Sequence, residues 1–87
     1  MSIRDRLASI YLEAEQLRGR HDGVHDMHGA CAAIWTALQS LDSGYKVNMD
    51  HVDLIIRKMR FCDVHGRYPR RGEVGTFNHE TGEVTWT

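Results

Sequence analysis

Apolar residues recur at intervals of three or four positions along much of the chain, with polar residues between them. Residues 3–18, 24–40 and 49–65 have the spacing that buries one face of an amphipathic α-helix, so we predict three helices. The apolar stripes also define an expected core. We predict that this core contains Leu7, Ile10, Leu17, Met27, Ile34, Trp35, Leu38, Val52, Ile56, Met59 and Trp86.

Residues with helix-capping preferences mark the ends of these segments. Ser2, followed three positions later by an acidic residue, predicts the N-cap of the first helix, and Gly19 predicts its end. Asp22 and Asn48 are expected to cap the second and third helices. Gly66 is expected to end the third helix, because glycine adopts the positive φ that closes a helix.

The C-terminal segment changes from helical to alternating spacing, which is typical of short strands. Gly82 lies between two such strands, where a hairpin turn requires a positive φ. The register that this turn favours pairs Phe77 with Val84 and Gly75 with Trp86. The apolar side chains then share one face, and we expect that face to pack on the helices, because an isolated hairpin is barely stable.

Together these elements predict a mainly α fold. It is a single domain of residues 1–87, formed by a three-helix bundle with a short C-terminal β-hairpin at about residues 73–87. Three short helices give a thin core, which makes a homodimer plausible. No apolar run approaches the roughly 18 residues of a membrane span, and the N-terminus is charged where a signal peptide is apolar. We therefore expect a cytoplasmic protein without a membrane partner.

Charge is unevenly distributed in a chain whose net charge is only −1. Residues 57–71 carry six basic side chains against Asp63, a local net charge of +5, which indicates a surface for an anionic partner. The alternative is a solvated helix end, since cations are favoured at helix C-termini. The candidate partner-binding residues are Arg57, Lys58, Arg60, Arg67, Tyr68, Arg70 and Arg71.

Two pairs of polar side chains at i, i+3 spacing predict a divalent-metal site. His25 and His28 share one face of the second predicted helix, and Asp50 and Asp53 share one face of the third. Facing helices of a bundle can bring such pairs around Mg²⁺, Mn²⁺ or Zn²⁺. The alternative is that acidic residues in a first turn simply stabilise the helix.

A different metal site, for zinc, would use His28, Cys31, Cys62 and His65. His28 with Cys31, and Cys62 with His65, are again i, i+3 pairs, and together they would form a tetrahedral site. Both cysteines also fit the apolar stripes, so the alternative is a pair of buried thiols. The two metal sites use His28 in incompatible ways, so a structure can contain only one of them.

Residues 20–60 resemble a family of small phage proteins akin to the MazG-like all-α nucleotide pyrophosphatases. The resemblance is carried by the His/Asp/Gly-rich run before the second helix and by residues 33–36, Ala-Ile-Trp-Thr. It continues with residues 50–52, Asp-His-Val, and with the apolar run that ends at Arg60. It covers about half of the chain.

The resemblance implies a site as well as a fold. In the pyrophosphatases, E-x-x-E on one helix and E-x-x-D on the next hold Mg²⁺ around a nucleoside triphosphate. By position, His25 and His28 correspond to the first pair, and Asp50 and Asp53 to the second. Neutral histidines suit Zn²⁺ or Ni²⁺ better than Mg²⁺, which prefers oxygen ligands. The resemblance therefore implies a binding-type relative more than an active enzyme.

These features lead to two candidate functions. We expect a small non-catalytic, phage-type binding protein that docks on a host protein or ribonucleoprotein complex in the host cytoplasm. One form of this function is inhibition of a host defence such as CRISPR. The alternative is a metal-dependent nucleotide pyrophosphatase of the MazG-like type, which requires the site of His25, His28, Asp50 and Asp53.

Overall fold

The computed structural model describes residues 2–87 and contains three helices followed by a two-stranded antiparallel sheet. The elements are α1 (Ile3–Arg20), α2 (His25–Asp42), α3 (Met49–His65), β1 (Gly75–Phe77) and β2 (Val84–Trp86). This architecture confirms the predicted mainly α fold with a C-terminal hairpin. Among the described residues, no helix combines the length and the apolar character that crossing a membrane requires.

Side chains satisfy free backbone N–H groups where α1 and α3 begin. The Ser2 hydroxyl accepts a hydrogen bond at 3.1 Å from the N–H three residues along the chain. The Asn48 side-chain oxygen accepts from the N–H groups of Asp50 and His51 at 3.1 and 3.3 Å. α3 ends where Gly66 takes a φ of +75°. The predicted caps at these three positions are confirmed.

Three predicted helix boundaries differ from the structure, one of them the end of α2, which lies at Asp42 and not at residue 40. α1 continues through Gly19 to Arg20, because Gly19 does not take the positive φ that closes a helix. The Arg20 guanidinium binds Asp63 of α3 at 3.2 Å, and this contact holds the last turn of α1. α2 begins after Val24, which provides no side-chain cap, and Asp22 lies two residues too early to be the N-cap.

The core lies between the three helices and is formed by their buried apolar faces. Its residues are Leu7, Ile10, Ala14, Leu17, Met27, Ala30, Cys31, Ile34, Leu38, Val52, Ile56, Met59 and Cys62. Leu54 is also buried, with 1% of its surface exposed, although it was not among the expected core residues. It is buried because the hairpin covers that side of α3, where Gly75 lies directly against its side chain.

The prediction that both tryptophans belong to the core is wrong, since Trp35 and Trp86 are 45% and 42% exposed. Ile34 fills the buried face of α2, and Trp35 lies at the edge of that face. Its ring packs on Tyr11, with 5.1 Å between the ring centroids. Trp86 packs instead beneath the Arg57 guanidinium, which lies 4.3 Å from the centre of its ring.

The hairpin has the predicted register. Phe77 pairs with Val84 and Gly75 with Trp86, and Gly82 takes a φ of +75° in the turn. Glycine tolerates this positive φ without a steric penalty, so Gly82 can occupy the turn that joins the two strands in this register.

The hairpin packs against α3 and its N-cap through three specific contacts. The Phe77 ring stacks on the His51 ring, with centroids 3.9 Å apart and planes 8° from parallel. The Asn48 side-chain N–H donates to a carbonyl of the hairpin turn at 2.6 Å. Gly75 lies where a Cβ atom would come within 2.9 Å of the Leu54 side chain. The predicted packing of the hairpin on the helices is therefore confirmed.

Gly75→Ala should lower the free energy of unfolding by roughly 1–3 kcal/mol, a typical cost of overpacking. The added methyl group would lie 2.8 Å from the Thr85 carbonyl oxygen and 2.9 Å from Leu54. Urea denaturation followed by circular dichroism measures the change. Gly29→Ala is the matched control, because a Cβ there meets nothing within 4 Å and lies within α2. It should stabilise the protein by roughly 0.5–1 kcal/mol. Equal effects of the two substitutions would contradict close packing at Gly75.

Candidate functional site

Many charged side chains are paired with an opposite charge, and several pairs join different helices. Arg60 of α3 donates to both carboxylate oxygens of Glu13 in α1, at 2.6 and 2.8 Å. Arg6 of α1 donates to Asp53 of α3 at 2.6 Å. Exposed pairs of this kind contribute little to stability, on the order of 0–1 kcal/mol. Each pair nevertheless neutralises a cation that would otherwise add to the positive surface.

This pairing divides the predicted basic segment into two groups. Arg60 is neutralised by a glutamate of α1, and Arg67 is held by Glu73 at 2.9 Å through both guanidinium nitrogens. The Arg67 contact lowers the pKa of Glu73 to about 2, so this carboxylate stays charged. The other basic side chains of the segment have no carboxylate within ion-pair distance among residues 2–87. They are Arg57, Lys58, Arg70 and Arg71.

A cleft of about 430 Å³ lies between α3 and β1. Its lining includes His51 and Lys58 from α3, Tyr68 and Arg71 from the loop that follows α3, and His79 from the hairpin turn. No Asp or Glu is among the described residues that line it. We call this hollow, defined by His51, Lys58, Tyr68, Arg71 and His79, the basic cleft. It gathers two of the unpaired cations and two imidazoles around one volume.

The groups of the basic cleft present hydrogen-bond donors to a ligand. Burial, followed by charge interactions with His79 and Lys58, lowers the pKa of His51. Its neutral ring still carries one N–H donor, and it stacks on Phe77. Burial raises the pKa of Tyr68 to about 12, so its hydroxyl stays protonated. Ammonium, guanidinium, hydroxyl and imidazole groups together suit an anion.

Two other hollows contain carboxylates that are already bonded within the fold. One of about 320 Å³ lies between α1 and α3 and is lined by both interhelical ion pairs described above and by the unpaired Arg57. Another of about 280 Å³ lies beside Trp35 and contains Glu15. Glu15 accepts hydrogen bonds from Tyr11 at 2.6 Å, from Arg18 at 3.1 Å and from the Cys31 thiol at 3.4 Å. The first hollow thus offers one unpaired cation beside two carboxylates, whereas the described lining of the basic cleft has two and no carboxylate.

The structure does not assemble the first predicted metal site. Within residues 2–87, no three His, Cys, Asp or Glu side chains lie where they could hold a metal ion together. Asp53 accepts from Arg6, and one ring nitrogen of His28 donates to a backbone carbonyl in the preceding turn at 2.6 Å. His25 and Asp50 are exposed at the starts of their helices. The i, i+3 spacing places each pair on one face of a helix but does not bring the two faces together.

The second predicted metal site is not assembled either. Cys31 and Cys62 are free thiols, 3% and 0% exposed. Cys31 donates to a glutamate of α1, and His65 packs on the Phe61 ring with centroids 4.1 Å apart. Burial raises the pKa of both thiols, which disfavours the thiolate that binds metal. The alternative interpretation, a pair of buried core thiols, is confirmed.

Sequence reasoning did not assign His51, His79 or Phe77 to a partner-binding site. One signal was present: His51 and Lys58 are seven positions apart on α3 and therefore lie on the same side of the helix. The hairpin was expected to pack on the helices, but residue spacing does not predict the position along α3 at which it packs. That position determines which side chains line the cleft.

Comparison of this chain with protein-family models, with curated protein sequences and with solved structures finds no match. The resemblance to phage and MazG-like proteins therefore stays a prediction from the residues. The function has to be argued from the geometry and the charge of the basic cleft.

We predict that the stability of the wild-type protein falls more steeply than that of His51→Gln as the pH drops below 6.5. The folded protein disfavours protonation of His51, and its folded pKa lies below the ordinary value of 6.5. The unfolded chain therefore binds more protons between these two values, so the unfolding free energy decreases as the pH falls through this window. Above pH 6.5 this contribution is constant.

Urea unfolding at a series of pH values measures this dependence. The readout is the slope against pH, because loss of the ring stack on Phe77 also lowers the absolute stability of His51→Gln. The other histidines remain in both proteins, and only His79 interacts with His51, so the difference in slope reports on this pair. Identical slopes below pH 6.5 would contradict the partly buried, neutral state of His51.

Proposed function

We propose that this chain is a non-catalytic binding protein that docks on an anionic partner through the basic cleft. One observation supports this proposal above all. Lys58 and Arg71, with His51 and His79, surround one cleft whose described lining has no carboxylate, whereas neighbouring arginines of the same segment are bound to glutamates. A cleft lined by one sign of charge concentrates the field and attracts ligands of the opposite charge.

Exposed cations extend the positive region beyond the cleft. Arg70 adjoins Arg71 in the loop after α3 and is exposed, and Arg57 lies on the Trp86 ring beside the hollow between α1 and α3. Charges outside the contact surface, such as these, accelerate association more than they strengthen the final complex. The arrangement therefore suits a large anionic partner that approaches from solution.

The chemistry of the rest of the chain favours binding over catalysis. Asp53, which a pyrophosphatase of the MazG-like type would need as a metal ligand, is occupied by Arg6. Both cysteine thiols are buried with raised pKa, which disfavours a nucleophilic role. The resemblance to small phage proteins indicates the kind of partner that we propose. For a phage-type protein, the partner is a host protein or a nucleic-acid-containing complex, and docking inhibits a host defence such as CRISPR.

Lys58→Glu should weaken binding to a heparin oligosaccharide, a generic polyanion, by about tenfold or more. A hydrogen bond to a charged group contributes about 1.5–3 kcal/mol, and about 1.4 kcal/mol corresponds to tenfold in affinity. Isothermal titration calorimetry measures the dissociation constant directly. The far-ultraviolet circular dichroism of the variant should be unchanged, because the Lys58 side chain makes no ion pair with any of residues 2–87.

Lys46→Glu is the matched control for this experiment. Lys46 and Lys58 are the two lysines of the chain, and Lys46 is exposed between α2 and α3, outside the lining of the basic cleft. Both substitutions change the net charge by the same amount. Equal weakening by the two would show that net charge, and not the cleft, controls binding. Failure of the wild-type protein to bind heparin would remove the proposal.

A further inference from the structure

We infer that the basic cleft binds single-stranded nucleic acid, with phosphate on its cations and a base against its apolar floor. The inference rests on the proposed function, because it names the anion that the cleft accepts. Four properties of the cleft support it: its mixed lining, its continuation into a second hollow, its neighbouring stacked aromatic group and its concave shape.

The lining of the cleft combines cations with apolar surface. Leu54 and Ile55 of α3 and Phe77 of β1 line the same volume as Lys58 and Arg71. A ligand that fills this volume therefore needs a flat or apolar part beside its negative charge. A nucleotide has both in one unit, whereas the acidic side chains of a peptide have no flat ring beside their charge. The volume, about 430 Å³, lies within the range of about 300–1,000 Å³ of pockets that hold small organic molecules.

The cleft continues into a second hollow of about 430 Å³. Arg71, Thr76, Phe77 and His79 line both hollows, so these residues form the boundary between them. The second hollow also contains Glu80, which leaves the first as the more positive of the two. Two adjoining hollows with cationic and imidazole groups at their boundary suit a linear polymer of phosphates better than a single small anion.

A stacked aromatic group lies beside the opposite end of β1. Gly75, which lines the cleft, pairs with Trp86 of β2. The Trp86 ring is 42% exposed and carries the Arg57 guanidinium 4.3 Å from its centre. Arginine planes and aromatic rings are the usual platforms on which unpaired bases stack. A second cation–aromatic pair therefore lies next to the strand that lines the cleft.

The shape of the cleft favours a single strand over a duplex. Direct reading of double-stranded DNA requires a helix or a ribbon that enters a groove. Here Lys58 and Arg71 lie in the lining of a hollow, between a helix and a hairpin, where the stiff and convex surface of a duplex has poor access. The flexible backbone of a single strand can place a phosphate and an unstacked base inside it.

Fluorescence anisotropy with labelled oligouridylate and oligothymidylate of about 12 nucleotides tests the inference, since single-strand sites span about 4–16 nucleotides. A duplex of the same length and a labelled polyglutamate of similar charge are measured in parallel. We expect both single strands to bind and the duplex and polyglutamate to bind at least about tenfold more weakly. Lys58→Glu and Arg71→Glu should each weaken single-strand binding about tenfold or more, and Lys46→Glu less than about twofold.

The salt dependence gives a second readout. Each phosphate contact of a single strand contributes about 0.7 to the slope of log affinity against log salt concentration. Lys58→Gln should therefore reduce the magnitude of this slope by about 0.7, while Lys46→Gln leaves it unchanged. Equal slopes for wild type and Lys58→Gln would overturn the assignment of a phosphate to Lys58.

The remaining outcomes separate this inference from the proposed function. Binding of heparin without binding of either oligonucleotide overturns the inference and leaves the proposed function standing. Binding of polyglutamate with the same dependence on Lys58 also overturns it and identifies an acidic protein as the partner. Equal affinity for the duplex overturns the preference for single strands. Failure to bind heparin as well removes the proposed function itself.

Discussion

The contact between β1 and α3 is the constraint on which the candidate site depends. A two-stranded hairpin has too little apolar surface to be stable alone, so the helix beneath it fixes its position. Gly75 lies against Leu54, and Phe77 lies against His51. Gly75 precedes Phe77 on the strand, whereas Leu54 follows His51 on the helix, so these two contacts place the strand antiparallel to this part of α3. The basic cleft exists because these contacts hold the hairpin beside α3.

The contact between β1 and α3 also includes a titratable side chain, His51. His51 stacks on Phe77 from a position where burial and neighbouring positive groups disfavour its protonation. An anion in the basic cleft would offset the positive potential at His51 and so reduce the free-energy cost of protonating its imidazole. Elsewhere, ion pairs such as Arg60 with Glu13 contribute little to stability but neutralise cations outside the cleft.

The parts of the fold that depend on local physics could be predicted from the sequence. Periodicity located the helices, Ser2 and Asn48 provided their caps, and Gly82 fixed the hairpin register. The tryptophans were misplaced, because Trp35 belongs to the margin of an apolar stripe and helical spacing does not say where burial ends. The candidate site could be predicted only in part. His51 and His79 share a cleft through the docking of the hairpin, which no local pattern encodes.

The histidine-rich segment from His21 to His28 shows why residue type alone does not predict a metal site. His21 bonds to Asp63 of α3 at 2.8 Å, beside Arg20, and the two contacts lower the pKa of Asp63. His28 donates to a backbone carbonyl of the turn that precedes α2. Each of these imidazoles has its own partner, so together they connect α1 and the turn to the bundle and do not converge on a metal.

The same criterion separates the arginines of the basic segment. Arg60 and Arg67 form ion pairs with glutamates of the same chain, so their charges are neutralised within the fold. Lys58 and Arg71 line a cleft without a counter-charge among its described lining residues, so their charge is available to a ligand. A charged group that the fold leaves without a partner, in a concave place, is more informative about function than the composition of the segment that carries it.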